Sequence, residues 1–449
     1  MGKREPNAGL AKVLRETGMT GGQLARGINR VAGQAGMSVS YAQPSVSNWL
    51  AGTLPRREVR PFVVEVLSAR LGRVVTHAEL GFPAPTGDVS ARAGIGICEE
   101  LVDLARGDMD PDRRELMGAA LFSAALPVPG WHDVVGRVTA VRSGRARRIG
   151  MADVDVVTAV TEQLAEVDNQ FGGRHARPLA VGFLLHSVTP YLQAGGTDDV
   201  RKAMLSAAAR LCDLTGFMAV DEHLHGLAQR YYGKALELAG AAENPVSYRG
   251  TLRMMSVQAL DLGHATRALG LAEAAWEGRS GISSRMESFL AGQVAHTHAV
   301  AGNRKRALDL IRVAETALGK AEDQDEGFGP GSSSYSRSSL TLHLAEVRNA
   351  LGDVAGSVES LTESARLRTR MPRRRNGIRY RSLLAERQLR MGHLEAACRT
   401  WDAVLDDYPF VRSGSADRKI ADARALLRPY RHNRFARAVY ERARGAVRP

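Results

Sequence analysis

The first 80 residues alternate short apolar stripes with breaks, a pattern that predicts several short helices. Leu10, Val13 and Leu14 fall three and four positions apart, as residues on one face of a helix do. Thr20 follows a break at Gly18 and is placed to cap a second helix. A further stripe follows Pro61. This part of the chain is therefore expected to fold as four or five short helices.

Residues 43–57 combine an apolar helical face with an outward polar face. Val46, Trp49 and Leu50 fall on one side, and Gly52 is placed to end the helix. Gln and Asn side chains bond adenine edges, Ser bonds several bases, and Arg bonds backbone phosphates. The segment is interpreted as a helix that reads the major groove of double-stranded DNA. The proposed contact residues are Gln43, Ser45, Ser47, Asn48, Arg56 and Arg57.

A second pattern recurs between about residues 195 and 410. A small residue stands at the same place in each unit, and a glycine precedes it by five positions in four of the units. A glycine there ends one helix, and the small residue lets two antiparallel helices approach closely. The pattern predicts stacked helical hairpins, with helices in 153–194 starting the same array. The small residues are Ala228, Ala268, Ala307, Ser357 and Ala397, and the glycines are Gly263, Gly302, Gly352 and Gly392.

Two family resemblances follow from these motifs. Gln23-Leu-Ala25, followed by Val46-Ser-x-Trp49 and Gly52-x-x-Pro55, resembles the phage-repressor (XRE) type of helix-turn-helix domain. The repeats, with Pro409 after the last one, are similar to tetratricopeptide (TPR) repeats. Together they imply an all-α chain: a five-helix DNA-binding domain, usually dimeric, followed by a TPR-like α-solenoid.

The sequence also departs from both families. The connection over 33–42 is longer than the usual three- or four-residue turn, and the repeats are longer than the usual 34 residues. A plain helical bundle with a tryptophan core, and an irregular helical array, are the alternative interpretations of the two parts.

The domain division predicted from these patterns is 1–81, 82–152 and 153–449. Pro83–Asp88 is interpreted as linker, and a short helix is expected over Ile97–Ala105. The apolar segment 113–129 is too short to span a bilayer. It is interpreted as a helix docked between the two domains.

Charge is distributed unevenly. The chain has 61 Lys and Arg against 48 Asp and Glu, a net charge of +13. Residues 1–80 hold 11 basic and 5 acidic residues, and residues 366–449 hold 22 and 8, so the part between them is acidic. Such basic ends are typical of proteins with polyanionic partners. The basic C-terminal part is either a solvated surface or a second nucleic-acid contact.

The solenoid is expected to present a concave face that binds a peptide, a small molecule or a protein partner. The segment from Phe171 to Arg177 is a second candidate, because basic residues at a helix start hold anions; it is equally consistent with a capped turn facing solvent. Candidates on the concave face are Arg253, Gln258, His296, His298, Arg348 and Arg387, and those at the helix start are Arg174, His175 and Arg177.

Enzyme motifs are absent from the sequence, and no cofactor or metal is expected. Three widely separated cysteines indicate neither a metal site nor a disulfide framework and suit a reducing cytoplasm. The expected protein is a cytoplasmic, homodimeric, sequence-specific transcriptional regulator without a membrane partner. It resembles actinobacterial regulators of development or secondary metabolism, in which the solenoid senses a signal and sets dimer geometry. The alternative is a TPR scaffold that mediates protein–protein interactions.

Overall fold

The computed structural model describes residues 6–34, 39–56, 58–71, 75–83, 96–111, 114, 148–323, 335–367 and 374–446. Within these ranges every regular element is a helix, and the only β-type pairing is an isolated bridge between Arg148 and Gly195. The prediction of an all-α chain is confirmed.

In the described residues of the N-terminal part, four short helices share one apolar core. The N–H of Gln23 donates to Thr20 Oγ1 (3.2 Å), and the N–H of Thr20 donates to Gln23 Oε1 (2.8 Å), so Thr20 caps the second helix as predicted. Leu24, Ile28 and Phe62 are fully buried in this core. The helices are α1 (Ala8–Thr17), α2 (Gly21–Gln34), α3 (Gln43–Leu50) and α4 (Arg60–Leu71).

The helix expected after the linker is present as α5 (Ile97–Met109) and packs on the solenoid. The Asp108 carboxylate, which is buried, pairs with Arg177 and accepts a hydrogen bond of 2.9 Å from the Tyr231 hydroxyl. Glu100, which also lies on α5, pairs with Lys234. These contacts fasten α5 to the helices that follow it. The helix proposed for residues 113–129 lies outside the described residues, apart from Arg114.

The rest of the described chain is a stack of antiparallel helix pairs. The first pair is α6 (Met151–Phe171) and α7 (Gly173–Phe183), and α7 continues through a π-helical turn, Leu184–Val188, into α8 (Thr189–Gln193). The following pairs are α9 (Asp198–Asp221) with α10 (His225–Ala241), α11 (Pro245–Asp261) with α12 (Ala265–Trp276), α13 (Ser284–Val300) with α14 (Arg304–Asp323), α15 (Arg337–Ala350) with α16 (Val354–Leu367), α17 (Arg374–Arg390) with α18 (Leu394–Asp407), and α19 (Gly414–Leu427) with α20 (Arg434–Ala446).

Helix α9 is long and apolar enough, by length and composition, to cross a membrane. It packs against α6, α10 and α11, and 56% of its most apolar window is buried inside the protein. The apolar composition of α9 is therefore that of a core helix.

The small residues of the repeat pattern lie where the two helices of each pair meet. Ala228, Ala268, Ala307, Ser357 and Ala397 are all fully buried. The approach is close enough for the Ser357 hydroxyl to donate to the Ala345 carbonyl of the neighbouring helix at 2.6 Å. The prediction that small residues mark the helix contacts is confirmed.

The turns inside the pairs share one backbone conformation. Gly263, Gly302, Gly352 and Gly392 all have φ between 81° and 88°, the left-handed region in which glycine avoids a steric cost. In the pair α9–α10 the corresponding residue is His223, which adopts φ 63° although it is not glycine. The turn before α10 therefore has the left-handed conformation although it lacks the glycine that predicts it.

The array closes on itself, because α17 packs against α6, more than 200 residues earlier in the chain. Arg375 on α17 donates to the Asp168 carboxylate at 2.7 Å and lies 3.4 Å from that of Asp221. All three side chains are buried. We call this junction, formed by residues 168–174 and 221–223 on one side and 375–376 and 412–417 on the other, the seam.

Backbone contacts complete the seam. The N–H of Arg412 donates to the Phe171 carbonyl (2.7 Å), and the N–H of Arg174 donates to the Arg412 carbonyl (3.2 Å). A Cβ on Gly172 would lie 2.3 Å from the Arg412 carbonyl oxygen, and one on Gly173 would lie 2.7 Å from that of Met218. The two glycines are therefore required for the chain to approach this closely.

Candidate nucleic-acid interface

Helix α3 packs on the start of α2 through residues without side chains. A Cβ placed on Gly21 would lie 3.4 Å from Val46 Cγ1, and one on Gly22 would lie 3.7 Å from Gln43 Oε1. Val46 and Trp49 are buried between α3 and the other helices. Gly52, at φ 99°, lets the N–H of Thr53 return to the Asn48 carbonyl (3.0 Å) and ends the helix.

The opposite face of α3 is open. Gln43, Ser47 and Asn48 are exposed, and Ser45 is half-buried. The Ser47 hydroxyl donates to the Gln43 carbonyl at 3.1 Å, so its proton is already engaged and its oxygen is left as an acceptor. The two amide side chains therefore carry most of the donor and acceptor capacity of this face.

The long connection between α2 and α3 is fastened to α2 near its end. Asn29 on α2 donates from Nδ2 to the Tyr41 carbonyl and accepts at Oδ1 from the Tyr41 N–H, both at 2.8 Å. The Tyr41 ring stands edge-on to Trp49, with 5.2 Å between ring centroids. The extra residues of the connection therefore come before Tyr41, which Asn29 holds to α2. The start of α3 does not depend on a short turn.

Cationic side chains flank the open face. Arg56 is exposed, as the sequence suggested, whereas Arg57 lies outside the described residues. Arg26 on α2, which sequence reasoning missed, is also exposed. Its guanidinium and the Gln43 amide both lie 3.7 Å from the point that a Cβ on Gly22 would occupy. Arg26 could have been identified in the sequence from its place among the polar residues of α2.

The solenoid touches this part of the chain through α4. His264, in the turn between α11 and α12, pairs with Glu65 on α4, and both side chains are largely buried. Helix α3 keeps its polar face exposed in the presence of this contact.

The N-terminal part of the chain matches a known protein family. Residues 10–83 match a family described as the SP15 N-terminal domain, which is less than half of the chain. No curated protein matches the sequence. A solved structure titled "Crystal structure of APC/C hetero-tetramer Cut9-Hcn1" is similar at 11% identity and a TM-score of 0.31, covering 97% of this chain and 73% of that one. A likeness at that score carries no argument about function.

The candidate anion site at the start of α7 is not formed by its three residues together. Arg177 is buried and pairs with Asp108 and with Glu222 (2.7 Å), and these partners hold its pKa above the usual range against the opposing effect of burial. Arg174 pairs with Asp417 across the seam at 2.9 Å, and His175 is exposed. Gly172, Gly173 and Arg174 belong to the seam, whereas Arg177 fastens α5 through Asp108.

Three of the residues proposed for the concave face make polar contacts within the array. Gln258 donates to the His225 carbonyl (2.9 Å), and Arg348 donates to the Gly356 carbonyl (2.8 Å). His298 lies within 3.2 Å of Asn303 in the following turn, and burial lowers its pKa. All three stand near the C-terminal ends of first helices, where their side chains reach a neighbouring helix or turn.

Two further candidates form a polar link between hairpins. Arg387 donates to Glu346 (2.8 Å) and to the Ser357 hydroxyl (2.7 Å). His296 lies 4.0 Å from the same glutamate, and burial is the main cause of its lowered pKa. Arg387 is therefore paired with Glu346, and His296 lies beside that pair.

Arg253 is the remaining candidate, and its guanidinium is buried without a carboxylate at ion-pair distance among the described residues. It lies over the Phe289 ring, 3.9 Å from the centroid, and 3.2 Å from His343 Nε2. Burial lowers the pKa of Arg253 to about 10. Burial of His343, together with the nearby Arg253 charge, keeps the pKa of its ring well below the usual value. The His343 ring is therefore neutral, and its Nε2 accepts the hydrogen bond from Arg253.

The described residues contain no group of three or more His, Cys, Asp or Glu side chains arranged to hold a metal ion. Cys212 is fully buried, and burial raises the pKa of its thiol, which disfavours the reactive thiolate.

Proposed function

We propose that this chain is a sequence-specific DNA-binding regulator of the XRE helix-turn-helix type. One observation carries the proposal: α3 buries Val46 and Trp49 and presents Gln43 and Asn48 on an exposed face. Both amides are suited to bidentate bonds with adenine in the major groove. Exposed Arg26 and Arg56 beside them supply charge for the phosphates.

The solenoid is a helical repeat array, a kind of structure that binds partners over an extended surface. We propose that it senses a peptide, a small molecule or a protein and sets the geometry of a homodimer in the cytoplasm. A signal affects DNA binding only when it binds two arrangements of the protein with different affinity. The contact between Glu65 and His264 supports a route between the two parts, because it joins α4 to a solenoid turn.

The decisive experiment is selection of bound fragments from random duplexes by the full chain, followed by affinity measurements on the selected site. Gln43→Ala and Asn48→Ala should each weaken binding to that site by about 1–3 kcal/mol and relax the preference at one position. Arg56→Ala should weaken cognate and random duplexes alike. Equal losses on both kinds of DNA for all three variants would show that α3 does not read bases.

Dimer geometry needs a separate measurement. Light scattering and DNA affinity are compared for the full chain and for a fragment of residues 1–83. Two copies reading half-sites about 34 Å apart would gain affinity from the larger assembly. A short fragment that dimerises and binds as tightly as the full chain would remove the solenoid from this role.

A scaffold that binds partner proteins is the second candidate. The observation in its favour is the extent of the helical array, which occupies most of the described chain, whereas the candidate interface occupies one short helix. The absence of sequence preference in the selection experiment, together with capture of a defined protein partner by residues 96–446, would favour the scaffold.

A further inference from the structure

The turn between the last two helices carries an unusual set of charges. Between Asp422 and Glu441 the chain contains no acidic residue, but it contains five arginines and a histidine. Four of the arginines follow one another at intervals of three: Arg428, Arg431, Arg434 and Arg437. All four are exposed. We call the segment 428–437 the basic tip.

The arginines of the basic tip have no carboxylate at ion-pair distance in the described part of the chain, whereas several other exposed arginines of the array do. Arg312 pairs with Asp309 (3.0 Å), and Arg366 pairs with Glu363 (2.7 Å). Arg442, at the far end of α20, pairs with Asp402 (2.6 Å) on α18. The tip therefore brings four neighbouring guanidinium charges together without a carboxylate partner among the described residues.

The tip is held in one shape by its backbone. The N–H of Asn433 donates to the Tyr430 carbonyl (2.9 Å), and Asn433 Oδ1 accepts from the N–H groups of Phe435 (2.9 Å) and Ala436 (3.3 Å). The Arg434 guanidinium lies over the Phe435 ring, 4.5 Å from its centroid. The N-terminus of α20, with its partial positive charge, lies at the same turn. The cations are thus presented on a fixed support.

We propose that the basic tip is a second DNA contact, which binds the phosphate backbone of a duplex without reading its sequence. Guanidinium groups form paired hydrogen bonds with phosphate oxygens. Tyr430, which is 42% exposed, adds a hydroxyl of the kind that commonly bonds phosphates. The inference rests on the proposed function in one respect, that duplex DNA is the polyanion this chain meets.

The test measures the salt dependence of binding to a short random-sequence duplex by the full chain. Each phosphate contact contributes about 0.9 to the slope of log K against log salt. Arg431→Gln with Arg434→Gln should therefore reduce the slope by about 1.8. The matched control is Arg312→Gln with Arg366→Gln, which removes the same charge from exposed, acid-paired positions and should leave the slope unchanged. Arg431→Lys with Arg434→Lys should retain most of the slope, because lysine also binds phosphate.

Equal changes in the slope for the tip and control variants would overturn the proposal, since overall charge would then account for the effect. A tip variant that loses binding to phosphatidylserine-rich vesicles while its DNA slope is unchanged would overturn it in favour of a membrane surface. Failure of the proposed function is distinguishable, because it appears as an absence of effect of Gln43→Ala and Asn48→Ala at the selected site. The tip contribution to random DNA should persist in those two variants.

Discussion

The side-chain amide of Asn29 holds the backbone of Tyr41 through both of its polar atoms, donating to the carbonyl and accepting from the N–H at 2.8 Å each. This pair replaces the short turn expected before a recognition helix. It also positions the Tyr41 ring against Trp49. Asn29 therefore contributes to the placement of α3 together with the contacts at Gly21 and Gly22.

Asn29→Ala should destabilise the N-terminal helices by about 1–3 kcal/mol, because two partly buried backbone groups lose their partner. DNA affinity should fall more than it does for Arg30→Ala, an exposed neighbour on the same helix that leaves the pair intact. Thermal melting of a fragment of residues 1–83 and titration with DNA measure the two effects. Unchanged melting in Asn29→Ala would show that the connection is held by other contacts.

The left-handed turns give a second prediction. Gly302 has φ 81° and open space where a Cβ would lie, so Gly302→Ala should cost about 1–2 kcal/mol through backbone strain alone. Gly270 is helical, exposed and equally uncrowded, and Gly270→Ala should stabilise by about 0.5–1 kcal/mol. Denaturant melts of the two variants should shift in opposite directions. Shifts of the same sign would contradict this account of the turns.

Removal of the Asp108 carboxylate should destabilise the solenoid although Asp108 lies outside the repeats. Asp108→Ala leaves the buried Arg177 with Glu222 as its remaining acidic partner among the described residues and leaves the Tyr231 hydroxyl without its acceptor. Breaking a buried pair from one side costs about 3–5 kcal/mol. A fragment of residues 96–446 should accordingly melt at a higher temperature than one of residues 148–446. Asp110→Ala, an exposed change one residue beyond the helix, serves as the control.

The seam should be weakened by rising pH. Burial, together with the charges of Asp221 and Glu222, raises the pKa of Asp168 to about 7, and Arg375 offsets only part of this effect. The folded state then holds a proton that the unfolded state, with a pKa near 3.8, has released. Stability from this group is therefore fully present below about pH 3.8, is lost progressively as pH rises to about 7, and does not change further above that.

Asp168→Asn should remove that loss, because the amide stays neutral and still accepts from Arg375. Melting temperatures of the two proteins between about pH 4 and 8 provide the measurement, and the histidines affect both proteins alike. The difference between wild type and variant should grow as pH rises to about 7 and level off above it. A constant difference would show that Asp168 is ionised throughout.

The sequence was sufficient for features that depend on neighbouring residues. Val46 and Trp49 on one face of α3, and Ala268 or Ala307 at a helix contact, follow from spacing within a single helix or hairpin. The left-handed turn at His223 was not predictable by the same reasoning, since its usual glycine signal is absent.

Features that join distant segments could not be predicted. The pairing of Arg375 with Asp168 spans 207 positions, and no local pattern marks either residue as a partner of the other. The roles of Gln258 and Arg348 depend on which way a side chain leaves the end of its helix, which spacing within a repeat does not specify. Arg177 was identified as a charge at a helix start, but its partner Asp108 comes from a helix outside the repeats.

The closed seam limits the gain or loss of hairpins in such an array during evolution. An open stack of repeats tolerates a duplicated or deleted unit, because each repeat contacts only its neighbours. Here α6 must meet α17, and Gly172 fits against Arg412 with no room for a side chain. One hairpin more or fewer would move those segments apart along the superhelix. Relatives that keep the seam residues should therefore keep the same number of hairpins, while relatives with another number should have lost both glycines and Arg375.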